Sequence, residues 1–550
     1  MGFLKAGIVP RAYQSAIAAS ALSKGNTLVV LPTGMGKTLV AFLVIEGRIG
    51  KGRAVFLAPT KPLVAQHYRT FLEMSDFPEA DCSLITGEVS PKKREELWKR
   101  RMCFSTPQSF QNDIKAGRTD GACSICIIDE AHRAVGSYAY TFVAQKVVEA
   151  GGQLLGLTAS PGGSKQRIQE IVDALGVENI EIRTADDSDV SPYIQKLDVE
   201  YIRVPLGDTF SEVRNLLAAM LADNVKYLEN YNVTVPTRSK KGLVELRMRI
   251  MRFSEGMRYS MLSFYSTIFN LVHMLELIET QGLSTFLSYV EKLRARPDTK
   301  ARHRIFSDKR FVRALEICTT AKEHPKLNKL IEMLSAKKEK KERVLVFAQY
   351  RDQVKAIVDT LKAAGFSAER FVGKKEGVTA DEQKQTIAKF SNGEFDIMVA
   401  TSIGEEGLDI PSVDTVVFFE PIPSEIRTIQ RRGRAGRLSA GKVVVLITEN
   451  TRDEAYFHSS RKKEENMKRI VGKMQLQFSR TPKGAQKKEA PKKEGKARKE
   501  YTGRESALPR AARPPEAAKA QLPQQPAAIP EKKPATRRRR ALEQKKLTDF

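Results

Sequence analysis

The sequence predicts an α/β protein with two parallel-sheet domains, a helical insert between them and a disordered basic C-terminal tail. Three observations lead there. Short apolar runs alternate with helical patterns in two separate stretches, the pattern of parallel sheets covered on both faces. The alternation stops between about 204 and 327. From about 478 the periodic apolar residues vanish, and lysine, alanine, proline and glutamine dominate. The expected boundaries are 1–203, 204–327, 328–477 and 478–550.

Composition narrows the class. The 550 residues have 41% hydrophobic content, enough for real cores, and a formal net charge of +27. So positive a field favours polyanions, either nucleic acid or an acidic membrane surface. No apolar run reaches the roughly 18 residues of a membrane span, and the apolar part of the N-terminus is too short for a secretory signal. The five cysteines form an odd set in a long chain, which points to a reducing, intracellular setting; the expected location is cytoplasmic and nucleoid-associated, with no membrane partner. Cys123 and Cys126 have the spacing of half a zinc site. They lead into a strand with no second close pair, so they read as small buried residues.

The first domain is built around Leu31-Pro32-Thr33-Gly34-Met35-Gly36-Lys37-Thr38. The apolar run 27–31 precedes it and a helical pattern over 39–45 follows, so it sits where a strand turns into a helix. Gly34 and Gly36 let the backbone wrap an anion, and the N–H groups at the helix start point at it. Lys37 reaches the β- and γ-phosphates of ATP, and the Thr38 hydroxyl ligates Mg²⁺. The phosphate-loop pattern asks for glycine at position 31, where this chain has leucine. Upstream, the Gln14 amide can read an adenine edge. Strands then end in polar tips at Thr60, Gly87 and Thr106-Pro107-Gln108, and ligands bind at such carboxyl ends. The apolar run 125–128 ends in Asp129-Glu130-Ala131-His132. Asp129 is placed to hold Mg²⁺, and Glu130 to orient or deprotonate the attacking water. The run 154–158 ends in Thr158-Ala159-Ser160, two hydroxyls able to relay the state of the nucleotide.

Taken together, Gln14, the phosphate loop, Ala58-Pro-Thr-Lys-Pro62, Thr106-Pro-Gln108, Asp129-Glu-Ala-His132 and Thr158-Ala-Ser160 resemble the ordered motifs of a superfamily 2 helicase. The leucine at 31 matches the Pro-Thr-Gly-x-Gly-Lys-Thr variant found in helicases. The resemblance implies two RecA-like motor domains, with ATP between them. The second half has apolar runs at 343–347, 397–400, 415–419 and 442–447, and no phosphate loop of its own. It does carry Gln430-Arg431-Arg432-Gly433-Arg434-Ala435-Gly436-Arg437, a concentration of like charge that wants an anion. By resemblance, Arg434 and Arg437 are the fingers that reach the γ-phosphate, and Gly407 and Asp409 touch ribose and couple to nucleic acid. A single strand lying across both domain tops is expected to meet Thr60, Thr106, Gln108 and Thr401. Contacts of that kind to phosphates carry no sequence information.

The insert reads as long helices over 210–231 and 242–278. Its basic residues (Lys240, Lys241, Arg247, Arg249, Arg252, Arg258, then a second group over 292–304) suit duplex or junction contact, and its aromatics suit a core. An insert at this place, with Glu405-Glu-Gly-Leu-Asp-Ile-Pro411, resembles archaeal Hef and its eukaryotic relative FANCM over about residues 1–475. That resemblance implies a thumb-like helical domain and action on forked, four-way or single-stranded DNA. Dicer and the RIG-I-like receptors share an insert here and bind double-stranded RNA, which is the alternative. The Asp-Glu-Ala-His form and the tail tilt toward DNA. Neither the Hef nuclease motif nor a helix-hairpin-helix pair occurs in the chain. The end, Gln544-Lys545-Lys546-Leu547-Thr548-Asp549-Phe550, resembles the motif that binds the sliding clamp PCNA. One 3₁₀ turn would put Leu547 and Phe550 on one side of Gln544.

Overall fold

Four- to six-residue runs of Val, Ile, Leu and Phe, bounded by glycine or polar turns, become strands buried on both faces. The computed structural model describes residues 2–184, 187–193, 198–237, 240–336, 342–373, 378–401, 413–421 and 441–480. Its first sheet contains β1 (Thr27–Val30), β2 (Ala54–Leu57), β3 (Cys82–Ile85), β4 (Met102–Ser105), β5 (Ile125–Asp129), β6 (Gln153–Thr158) and β7 (Asn179–Ile182). The order is β3-β4-β2-β5-β6-β1-β7, with every pairing parallel. Cys123 and Cys126 are both buried, as expected. β7 has no clear signature in the sequence, because Asn179 and Glu181 interrupt its apolar residues.

The second sheet is formed by β8 (Asp198–Val204), β9 (Val344–Phe347), β10 (Ala368–Phe371), β11 (Ile397–Ala400), β12 (Thr415–Phe418) and β13 (Lys442–Thr448). They run in the order β10-β11-β9-β12-β13-β8, again all parallel. The sequence places residues 198–203 with the first domain. The structure instead pairs β8 with β13 along its whole length, Asp198 opposite Lys442 and Val204 opposite Thr448. β8 is mostly exposed, as an edge strand can be, and the Lys442–Glu200 pair at 2.6 Å and the Arg203–Glu454 pair at 2.6 Å hold it.

Between the sheets lie helices Asp208–Glu229, Lys240–Ile250, Glu255–Thr280, Leu283–Arg294, Lys300–Phe306 and Lys309–Thr320. They close around a core of their own, from Leu206 to Cys318. The single helix expected over 242–278 is two helices. The chain leaves helical geometry at Ser254 (φ −56°, ψ 153°), which starts the second one. The expected core aromatics divide. Tyr265 is buried, Phe253, Phe264 and Phe269 pack against the core, and Tyr259 is exposed. One expectation needs correcting. Glu255–Thr280 is long and apolar enough to cross a membrane by length and composition. Its apolar residues are used in the insert: Met261, Ile268, Leu271, Met274 and Ile278 are buried in that core.

A buried polar junction fastens the insert to the second sheet. The Lys326 ammonium and the Asp453 carboxylate are both fully buried and pair with each other. Lys326 Nζ also donates to the Thr280 carbonyl at 3.1 Å, and Asp453 accepts from the Thr448 N–H at 2.9 Å. Arg452 donates to the Val272 carbonyl at 2.6 Å, and its backbone N–H donates to Glu279 at 3.1 Å. Burial pushes the Asp453 and Glu279 carboxyls up, against the pull of Lys326 on the first and Arg452 on the second. Removing one member of such a pair costs about 3–5 kcal/mol, because the other charge is left uncompensated. His324 starts the helix Pro325–Ser335, its Nδ1 accepting from the Lys326 N–H at 3.2 Å.

The same burial gives a pH prediction. Desolvation, and then the charge of Lys326, lower the His324 pKa from 6.5 to about 3. Below pH 6.5 the unfolded chain takes up a proton that the folded chain refuses, so stability falls as pH falls. His324→Asn keeps an acceptor at the helix start but has nothing to titrate. In urea titrations the wild type should lose stability between pH 6.5 and 5 relative to this variant, by about 1.4 kcal/mol per pH unit at most.

Candidate nucleotide site and nucleic-acid face

Three neighbouring strand ends bring the first-domain motifs together. β6 lies between β1 and β5, with Val30 level with Thr158 and Asp129 level with Leu157. The phosphate loop, Thr158-Ala159-Ser160 and Asp129-Glu130-Ala131-His132 therefore open onto the same edge of the sheet.

The loop has the geometry of an anion cradle. Gly34 and Gly36 adopt left-handed backbone conformations (φ 83° and 73°), which glycine adopts without steric cost. The helix Lys37–Arg48 begins directly after Gly36, and no side chain caps it, so its first N–H groups face the loop. Lys37 Nζ donates to the Leu31 carbonyl at 3.1 Å and lies 3.5 Å from the Pro32 carbonyl. Thr33, Lys37 and Thr38 are partly exposed. Gln14 is buried against the loop, its amide nitrogen 3.1 Å from the Met35 carbonyl and its amide oxygen accepting from the Arg11 N–H at 2.9 Å. The neighbouring Tyr13 hydroxyl also donates to Met35 O at 2.9 Å. These contacts fix the loop from below and turn the adenine-reading candidate toward it.

Asp129 and Glu130 are differently held. Asp129 ends β5 and is buried, with its Oδ2 2.9 Å from His67 Nε2. Burial pushes its carboxyl up. The hydrogen bond to His67 and the charges of His67 and Lys37 outweigh burial and hold it below its usual value. The Tyr140 hydroxyl donates to the Asp129 carbonyl at 2.7 Å. Glu130 takes a left-handed conformation (φ 52°), an uncommon geometry for a side-chain-bearing residue and one that turns it away from the strand. Its Oε2 lies 3.2 Å from His132 Nδ1, which is itself 3.3 Å from the Thr158 hydroxyl. Thr158 Oγ1 donates to the Ser160 carbonyl at 3.0 Å and accepts from the Ser160 N–H at 3.1 Å. Ser160 Oγ in turn lies 2.8 Å from Met467 Sδ, on the helix Arg452–Arg480. A polar chain thus runs from the acidic tetrad to the last helix.

The donor set suits Mg²⁺. Among the described residues no three His, Cys, Asp or Glu side chains cluster into a metal cage. Mg²⁺ characteristically takes one or two carboxylates, waters and substrate phosphates. One carboxylate at Asp129 and one hydroxyl at Thr38, beside an anion cradle, fit that habit.

The candidate strand contacts of the first domain lie along the same edge. β2 and β4 are neighbours, with Leu57 level with Ser105, so Thr60 and Thr106 follow adjacent strand ends. Thr106 caps the helix Pro107–Lys115, accepting from the Ser109 N–H at 3.3 Å, while Gln108 is exposed. Thr60 Oγ1 is buried without a hydrogen-bond partner among the described residues. Thr401 follows β11 of the second sheet and is buried. Gly407, Asp409, Arg434, Arg437, Gln544, Leu547 and Phe550 lie outside the described residues. Tyr13, His67, Tyr140 and Met467 carry no motif signal and emerge from geometry.

A phosphate loop and an acidic tetrad on one parallel sheet, followed by a second parallel sheet, define a two-domain helicase motor. Family signatures agree: DEAD/DEAH box helicase over residues 11–168, an ATP-dependent RNA helicase helical bundle over 209–325, and helicase conserved C-terminal domain over 325–439. The crystal structure of the Pyrococcus furiosus Hef helicase domain is 41% identical. It superposes with a TM-score of 0.66, covering 84% of this chain and all of that one. A Methanocaldococcus jannaschii protein named as an RNA helicase is 42% identical over 84% of this chain and 61% of its own length. The Neurospora crassa ATP-dependent DNA helicase mph1 is 33% identical over 84% of this chain and 43% of its own length. The chain belongs to the Hef/FANCM-type superfamily 2 helicases, and it spans about half the length of these curated relatives.

Gly36 offers a direct test of the cradle. A Cβ there would meet the Gln14 amide nitrogen at 2.3 Å, on a backbone that disfavours side chains. Gly36→Ala should weaken binding of a fluorescent ATP analogue about tenfold, from roughly 1–2 kcal/mol of left-handed strain. The fold should be retained by circular dichroism.

Proposed function

We propose that this chain is an ATP-dependent DNA helicase or translocase acting on forked or branched DNA in replication-fork repair and recombination. The observation that carries this is the meeting of the Lys37 loop with Asp129 and Glu130 at one sheet edge, in a strongly basic chain. The named activity of the Neurospora relative, a DNA helicase, supports the choice of DNA.

The steps follow from the residues. ATP lies on the loop, with its phosphates at the N–H groups of the helix Lys37–Arg48. Lys37 leaves the loop carbonyls it now bonds and turns to the β- and γ-phosphates. Mg²⁺, when held by Thr38 and Asp129, neutralises charge on the phosphates. His67 keeps the Asp129 carboxylate ionised and oriented. Glu130 orients the attacking water and takes its proton. Arg434 and Arg437 are assigned to the γ-phosphate from the second domain, and Gly407 and Asp409 to ribose and coupling. Loss of the γ-phosphate removes the contacts closing the cleft, and the strand held near Thr60, Thr106, Gln108 and Thr401 is gripped alternately. The last residues, Gln544, Leu547 and Phe550, tether the motor to the sliding clamp.

Lys37→Ala and Glu130→Gln should each abolish DNA-stimulated ATP hydrolysis, a loss of at least a hundredfold, while forked-DNA binding persists. Normal hydrolysis in either variant would overturn the assignment. Competition between forked DNA and duplex RNA at one salt concentration decides the nucleic acid; tighter RNA binding would favour the RNA-processing alternative suggested by the archaeal relative's name. A peptide of residues 540–550 should bind the clamp by calorimetry, and lack of binding ends the tether.

A further inference from the structure

The described surface exposes its large apolar side chains unevenly. Half of those that stand exposed fall within residues 231–259: Tyr231, Val244, Met248, Met251, Met257 and Tyr259. Three of them form a stripe. The helix Lys240–Ile250 turns Leu243, Leu246 and Ile250 into the insert core, where they are at most 1% exposed. On another face it presents Val244 and Met248, and then Met251, 58%, 65% and 48% exposed. Met251 stays in helical register, since its N–H bonds the Arg247 carbonyl at 3.1 Å. The spacing i, i+4, i+7 is that of one seam of a two-stranded coiled coil. Exposed Lys241 and Arg252 border the seam on one side and exposed Arg247 on the other. Glu245, the acidic residue nearby, lies 3.7 Å from Lys241. Between its basic borders the seam is wholly aliphatic and thioether, and methionine surfaces adapt readily to the shape of a partner.

We propose that this outer face of the helix Lys240–Ile250 is a docking site for an acidic amphipathic helix of a partner protein. Charge and chemistry select that occupant. Val and Met side chains offer no hydrogen bond to a base edge and no flat ring for a base to stack on, so the seam itself is not a nucleic-acid reader. A second copy meeting it face to face would bring Arg247 and Arg252 against like charges. The chain's own residues 481–550 are rich in lysine and arginine and would be repelled in the same way. A helix with apolar residues on its seam and carboxylates on its borders fills the stripe and pairs the arginines.

The test uses a fluorescent 21-residue peptide with leucine at heptad positions a and d and glutamate at e and g, whose own charges discourage self-pairing. Titrating it with the full chain should raise its anisotropy. A matched peptide with lysine at e and g should bind at least tenfold more weakly. Met248→Glu, and separately Val244→Glu, should weaken the acidic peptide at least tenfold. Met248→Leu should bind as the wild type does. Melting temperature should stay unchanged in all three variants, and forked-DNA affinity in Met248→Leu. Equal binding of the two peptides, or unchanged binding in both glutamate variants, overturns the proposal. So does displacement of the bound acidic peptide by forked DNA at matched salt, which would make the stripe part of the DNA face and leave the motor assignment intact.

Discussion

Among the described residues the two sheets are tied together by one helix, Arg452–Arg480, anchored at its first turn and again further along its length. Its first turn belongs to the second sheet and the insert, through the buried Lys326–Asp453 pair and the Arg452 bonds to Val272 and Glu279. Its middle belongs to the first domain. Met467, Val471 and Met474 sit in the same core as Ile168, Val172 and Ile180. Full burial of each such side chain contributes about 1.5–3 kcal/mol, so neither anchor lets go cheaply. Any movement between the sheets must bend this helix, tilt it or loosen one anchor.

That constraint meets the chemistry at Ser160. The acidic tetrad contacts Thr158 through His132, Thr158 and Ser160 are mutually bonded, and Ser160 touches Met467. Each link is within 3.3 Å, and His132, Thr158, Ser160 and Met467 are buried. Glu130 is therefore linked by packed contacts to the helix that touches both domains.

Much of this was legible in the sequence because it depends on local chemistry. Apolar runs between turn residues gave the central strands, and the glycines of the phosphate loop announce a backbone that side chains disfavour. Asp129 and Glu130 were recognisable from their place at the end of such a run. What the sequence hid depends on pairing across distance. β8 looks like a continuation of the first domain until β13, more than 200 residues later, takes it as a neighbour. His67 lies on an amphipathic helix like many others, and only the fold puts it 2.9 Å from Asp129. Met467 reads as an ordinary helical apolar residue until it reaches Ser160. The break at Ser254 was missed because the residues around it keep a helical pattern on both sides.

The central claim is that nucleotide on the Lys37 loop draws the two sheets together. All five native cysteines are buried, so spin labels can be placed selectively at introduced surface cysteines. Val148→Cys on the first domain and Lys389→Cys on the second are exposed positions for them. Pulsed electron–electron resonance should show the label distance shorten and its distribution narrow when a non-hydrolysable ATP analogue and forked DNA are added. The same additions should change nothing in Lys37→Ala. A distance that ignores the nucleotide in the intact loop, or that shortens equally in Lys37→Ala, would contradict the account.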